Sequence, residues 1–353
     1  MIFFTALLAL QVLTTQAQTS TLPIQGWAKN SVNAVVFRRN SVVTDANIQY
    51  TAYYNSEGYV VLGKRVLGST TWETKITSYK GNVVDAHNSI SIMVDGQGYL
   101  HMSWNHHNTA LNYCKSAAPH TLTMDAAIPM IGTKETAVSY PEFHRLPNGD
   151  LIFMYRDGSS GNGNMVINKY DHLQKKWQRV HSALINGEGL RNAYWQSFID
   201  IKGTIHVSWV WRESSDVASN HDLCYAQSTD GGHTWKKSSG SMYVIPITAA
   251  TAEYAARIPQ NSDLINQTSM YGDALGVPYI CSYWKPAGTT TPQYHLVYLK
   301  NGLWHTQQIS KRITPFSLSG SGTKKIPISR PQVLIGQVRD KIQAYVLYRD
   351  IEH

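Results

Sequence analysis

Apolar and polar residues alternate over short stretches of this chain, and no segment keeps a helical period. The alternation comes in hairpins. A strand, a glycine-containing turn and a second strand closing on an aromatic residue recur at Ser89–Trp104, Tyr140–Tyr155 and Gln196–Trp209. Looser copies close at Trp284 and Tyr348, and 33–54 forms a degenerate first copy. The clearest copies lie about fifty residues apart, the length of a propeller blade. A third strand follows the hairpin at Leu111–Ser116 and Leu223–Ser228, and a fourth carries Trp72, Trp177, Trp235 or Trp304. Four antiparallel strands per repeat predict an all-β chain, a β-propeller of four-stranded antiparallel blades.

Five blades are complete in this pattern, and a further one, Arg330–Asp350, stops after two strands. A closed ring has no open edge, so either the C-terminal blade is incomplete or the N-terminal strand completes a blade late in the ring. Ser228–Trp235 follows the pattern Ser-x-Asp-x-Gly-x-Thr-Trp, the Asp box of sialidase-type propellers. Its Asp caps a turn, its glycines supply positive φ and its Trp packs between blades. It marks the fold and carries no chemistry.

Residues 1–18 hold an apolar run, Ile2–Leu13, and a small residue, Ala17, before Gln18. They read as a secretory signal peptide, although no Lys or Arg precedes the run; a frayed N-terminal strand is the alternative. The run is too short to span a bilayer. The expectation is a secreted or periplasmic monomer with no membrane segment, residues 19–353 forming one propeller domain. Lys and Arg number 31 against 23 Asp and Glu, without a basic run, which favours an acidic polysaccharide over nucleic acid as partner. Cys114, Cys224 and Cys281 sit in apolar strands, and their odd number makes no disulfide framework.

Residues equidistant from a hairpin turn face each other. By that rule His87 falls opposite His106 and His107, Tyr140 opposite Tyr155 and Arg156, Tyr194 opposite Trp211 and Arg212, and Arg330 opposite Tyr348 and Arg349. Equivalent strand ends share one rim, so His, Tyr and Arg gather about one mouth of the channel, where propellers bind ligands. Singly, each has a plainer reading as a turn histidine or a snorkelling strand-end residue; their recurrence at one structural position is the signal. The rim positions hold no carboxylate pair of the kind glycosidases use, although Asp85, Glu142, Asp157, Glu213 and Asp216 lie nearby. Arg and protonated His suit a uronate carboxylate. Neutralising it acidifies the C5 proton, which a His or Tyr can remove while another group protonates the leaving oxygen. That reaction is β-elimination by a polysaccharide lyase.

The stretches Asp85–Asn88, Ser103–His107, Tyr155–Gly163 and Trp209–Glu213, with the Asp box, resemble the BNR-repeat propeller family, which includes seven-bladed ulvan lyases and rhamnose–glucuronate lyases. The resemblance implies that His87 and His107 form the family's histidine pair, with Tyr194 and Arg212 its Tyr–Arg pair. Arg212 and one His would neutralise the carboxylate, and Tyr194 and the other His would be base and acid. His106, Tyr155, Arg156, Tyr254 and Arg330 are candidate substrate-binding residues. The family also contains an α-L-rhamnosidase acting on rhamnose–glucuronate linkages, so a hydrolase of the same substrates is the nearest rival. A sialidase and a non-catalytic glycan-binding propeller are the others.

The chemistry requires no cofactor. A structural zinc or calcium ion is the remaining expectation, because related propeller lyases can hold an ion. His221, Cys224 and His233 are its candidate ligands, but their spacing matches no standard zinc pattern, and a buried thiol with two surface histidines is the plainer reading. No loop argues for calcium.

Overall fold

The computed structural model describes residues 19–35, 42–322, 324–338 and 341–352; the expected signal peptide, 1–18, lies outside them. The chain is all-β, with no α-helix among the described residues. The first sheet is a meander of β1 (Val42–Asp45), β2 (Ile48–Tyr54), β3 (Tyr59–Val66) and β4 (Glu73–Lys80). The second contains β5 (Ile90–Val94), β6 (Leu100–Trp104) and, after the short β7 (His107–Thr109), β8 (Tyr113–Lys115). The third is built from β9 (Val138–Arg145), β10 (Leu151–Ser159), β11 (Asn162–Asp171) and β12 (Lys176–Ile185), and β7 joins it beside β9. The fourth holds β13 (Asn192–Ile199), β14 (Ile205–Arg212), β15 (Asn220–Ser228) and β16 (Glu253–Ala256), and the fifth β17 (Ser269–Gly272), β18 (Pro278–Trp284), β19 (Gln293–Lys300) and β20 (Leu303–Gln308). A hairpin of β21 (Gln332–Val338) and β22 (Lys341–Leu347) follows.

First strands of successive sheets pack side by side: β5 against β1 and β9, and β17 against β13 and β21. Side chains bridge these neighbours. Ser91 Oγ accepts from Phe143 N at 3.1 Å, Gln196 Oε1 from Thr268 N at 3.2 Å and Ser269 Oγ from Val333 N at 2.9 Å. A buried amide on the unpaired edge of a first strand needs such an acceptor, which explains why these strands mix polar and apolar residues. The apolar faces pack between sheets. Trp195, Trp209, Trp211 and Trp235 belong to one core cluster, and Phe143, Phe153, Tyr155 and Trp177 to another.

Trp235 departs from its expected place on a fourth strand. The Asp box is a tight turn, with Asp230 Oδ1 accepting from Thr234 N at 2.9 Å and Trp235 Nε1 donating to Gly232 O at 2.8 Å. That turn pulls Trp235 into the core between β15 and β16, and the fourth strand forms later at Glu253.

Two sheets share a buried lock. His101 meets Tyr113 Oη at 2.8 Å through Nδ1 and Asp95 Oδ2 at 3.2 Å through Nε2, and His206 likewise meets Tyr225 at 2.7 Å and Asp200 at 3.4 Å. A carboxylate only accepts, so each Nε2 carries hydrogen and each Nδ1 accepts from the phenol. Replacing His101 by Phe leaves Asp95 and the Tyr113 hydroxyl short of a partner, and is expected to lower stability by about 2–4 kcal/mol in urea unfolding.

Burial holds His101, His106, His206 and His295 below the ordinary imidazole value, to about 4 for His106 and His295. Between those depressed values and the unfolded value of about 6.5, the unfolded chain binds more protons. Stability therefore rises with pH through that window and is lost as pH falls from about 6.5 towards 4. Denaturant midpoints at pH 7 and pH 5 check this; equal midpoints would contradict it.

Candidate active site

Strand ends converge on a cavity of about 320 Å³ lined by His87, His107, Tyr140, Tyr194, Arg212 and Arg330, among others. His87 lies in the turn before β5, where Asp85 Oδ1 accepts its backbone N–H at 2.9 Å. His107 is brought over the cavity by β7. Asn105 and Asn108, with φ of 64° and 60°, turn the chain out of β6 so that His107 pairs with Ser139 of β9; Asn tolerates this left-handed backbone better than most residues. Tyr140, the third residue of β9, and Gln267, just before β17, have φ of 55° and 51°, a strained backbone of the kind found at functional sites.

The expected pairing of His87 with His107 is met in space: their rings stack at 4.2 Å and 23°. Asp85 ties them together, Oδ1 to His87 Nδ1 and Oδ2 to His107 Nδ1, both at 2.6 Å. Burial opposes its ionisation, but hydrogen bonds from His87 and His107 hold its carboxyl down to about 2. Burial and the adjacent His107 push His87 below the ordinary imidazole value, against the pull of Asp85.

Tyr140 stands between the histidines and Tyr194, its ring 6.1 Å from His87 and 5.6 Å from Tyr194. Burial and the neighbouring Tyr194 raise the Tyr140 phenol. Tyr194 goes the other way. Burial would raise it, but the Arg156 and Arg212 guanidiniums and a hydrogen bond with Ser160 hold it below the usual phenol value. Its oxygen accepts from Arg156 Nη1 at 3.3 Å and lies 3.0 Å from Ser160 Oγ, and Arg212 Cζ is 5.3 Å from its ring centre. Arg156 is 1% exposed and Arg212 6%. Neither is in a salt bridge among the described residues. Arg156 Nε donates to Gly158 O, and Arg212 donates to Ser214 O and Ser215 O. Their charges are therefore desolvated without being neutralised, and they favour an anion in the cavity.

Tyr194 and Arg212 meet, though not at the register the hairpin predicts. Asn192 pairs with Arg212 and Tyr194 with Val210, and the long arginine side chain spans the two-residue offset. Arg330 lines the cavity and donates through Nε to Asn266 O at 3.0 Å.

Four expected binding residues lie outside the cavity lining, and of these Arg156 still touches the site through the Tyr194 hydroxyl. Tyr155 alternates with Arg156 on β10, so when Arg156 faces the site Tyr155 faces the core; its hydroxyl donates to Lys134 O at 2.9 Å. His106 lies in the link between β6 and β7, after the left-handed Asn105, and is buried against Thr109 and Asn112. Tyr254, on the outer strand β16, stacks under Arg257 at 3.2 Å. Tyr140, Asp85, Ser160 and Gln267 are site residues that pattern reading noted in passing or missed. Tyr140 stands on the rim where the hairpin rule placed it, without a role assigned, and like Arg330 it precedes a proline.

His221, Cys224 and His233 do not form a metal site. His221 is bound to Glu213 and Asp222 at 2.8 and 3.0 Å. Cys224, three residues along β15, is buried, and His233 is exposed in the Asp-box turn beyond the strand's far end. Among the described residues, the group whose ligand atoms gather is Asp85, His87 and His107, within 4.8 Å of one another. The short hydrogen bonds account for that grouping, and Arg330 beside His87 opposes a cation.

Fold and cavity together define an all-β, propeller-like protein with an anion-receptive pocket of acid–base groups. The chain belongs to the BNR repeat-containing family, whose family model matches residues 48–312. No curated protein matches it in sequence. Among solved structures it is similar to an ulvan lyase of family PL25, at 15% identity and a TM-score of 0.67 over 90% of this chain and 81% of that one. A PL25 ulvan lyase bound to a GlcA(1-4)Rha3S repeat gives 14%, 0.67, 90% and 81%. Polysaccharide lyase Uly1 gives 16%, 0.64, 95% and 83%. At such identities the likeness is one of fold.

In protein labelled at the tyrosine ring carbon that bears oxygen, Tyr194 is expected to ionise below the usual phenol range near pH 10. Arg212→Gln should move its midpoint upward by about one pH unit or more; an unmoved midpoint contradicts the electrostatic account.

Proposed function

We propose that this protein is a polysaccharide lyase that cleaves a uronate-containing polysaccharide of the ulvan or rhamnose–glucuronate type by β-elimination. The observation that carries the reading is Tyr194, wedged between two un-neutralised guanidiniums across Tyr140 from the Asp85-bound histidine pair. The cavity lining contains no Asp or Glu among the described residues, whereas standard glycosidases need two carboxylates at the bond. For the scaffold we adopt the seven-bladed ring that the family resemblance implies.

Arg212 and Arg330 hold the substrate carboxylate, which makes the adjacent C5 proton more acidic. Tyr194, as phenolate, takes that proton. The C5–H electrons form the C4=C5 double bond as the C4–O4 bond breaks, and His87 or His107 delivers a proton to O4. The products are an unsaturated uronate end and a chain with a free hydroxyl. The solved ulvan lyase bound to a glucuronate–rhamnose sulfate repeat supports this substrate class.

Incubation with ulvan, gum arabic and glucuronan tests the reading. Ultraviolet absorbance from a new C4–C5 double bond is expected with at least one of them, and Tyr194→Phe should lower kcat by about 10²- to 10⁴-fold. New reducing ends without absorbance would make the protein a hydrolase, and binding without any product a glycan-binding propeller.

A further inference from the structure

Asp85 does not line the cavity, yet it touches both rings that do. An ionised carboxylate accepts hydrogen bonds and donates none. Its two oxygens each lie 2.6 Å from a different Nδ1, so both imidazoles must carry hydrogen on Nδ1. The backbone N–H of His87, 2.9 Å away, fixes the carboxylate in turn. We propose that Asp85 is a positioning residue that locks His87 and His107 into one tautomer, so that the pair presents two Nε2 atoms and carries a single exchangeable positive charge.

The count of one charge follows from electrostatics. One carboxylate balances one imidazolium, and a second positive ring stacked at 4.2 Å from the first would repel it. The other charged or titratable groups about the same cavity are Arg330, Lys324, Tyr140 and, beyond Tyr140, Tyr194 with Arg156 and Arg212. In the lyase reading, on which this role rests, the protonated ring delivers its Nε2–H proton to O4, and the other ring stays neutral to orient the sugar.

The test is Asp85→Asn, read by nitrogen NMR of labelled histidines and by kinetics. In the parent, both rings are expected as Nδ1–H. The amide offers one acceptor and one donor, so one ring should switch to Nε2–H in the variant. With the polyuronate that the parent cleaves, kcat should fall about 10²- to 10⁴-fold, comparable to loss of the orienting aspartate in a Ser-His-Asp triad, with KM changed only a few-fold. The alkaline limb of the kcat profile should move to lower pH, because an imidazolium without its carboxylate is a stronger acid. Asp85→Glu should keep both tautomers and recover part of kcat, which separates positioning from misfolding. Two Nδ1–H rings in Asp85→Asn, or parental kcat, would overturn the proposal. If the parent cleaves no polyuronate, the lyase reading fails while the NMR result still decides the tautomer lock.

Discussion

Buried backbone amides on the first strands constrain much of this structure. Those strands lie side by side without forming a ladder with one another, so each edge amide needs an acceptor from the next sheet. Ser91, Gln196 and Ser269 supply three of them. The inner strands must therefore be partly polar, and the large apolar side chains are displaced outward, between sheets. Polar inner strands with rigid packing behind them can carry ionisable groups at their ends without disturbing the core.

What the arginines are attached to decides what they do. Arg312 is fully buried and paired with Asp350 and Glu352, so its charge is cancelled in place. Arg191 is bound to Glu188 and Glu213. Arg156 and Arg212 are bonded to carbonyls of their own turns. A carbonyl orients a guanidinium without neutralising it, so the positive field is left to act on Tyr194 and on whatever anion enters the cavity. Asp85 provides the complementary negative charge, directed at the histidines alone.

Much of this was legible along the chain because blades are local. The hairpin closing at Trp104 points His87 and His107 to the same strand end, and the Asp box declares its turn in eight residues. Where the reading failed, two alternatives differed by a single residue. His106 and His107, or Tyr155 and Arg156, are adjacent, and the turn at Asn105 in the one case and the strand pleat in the other send one towards the site and the other to the core. Pattern alone put Tyr194 opposite Arg212, and the ladder offsets them by two residues. Trp235 looked like a strand residue until the turn before it drew it inward.

The amino-acid order alone determined the repeat, the antiparallel pairs within it and the kinds of group at the strand ends, because each depends on contacts close in sequence. Only the tertiary structure decided that Asp85 bridges two imidazoles, that β7 leaves its own sheet to join the next, and that Arg156 and Arg212 converge on Tyr194 from two different sheets. These are contacts between repeats or across a turn, set by how sheets pack and how charges are desolvated, and no local spacing encodes either.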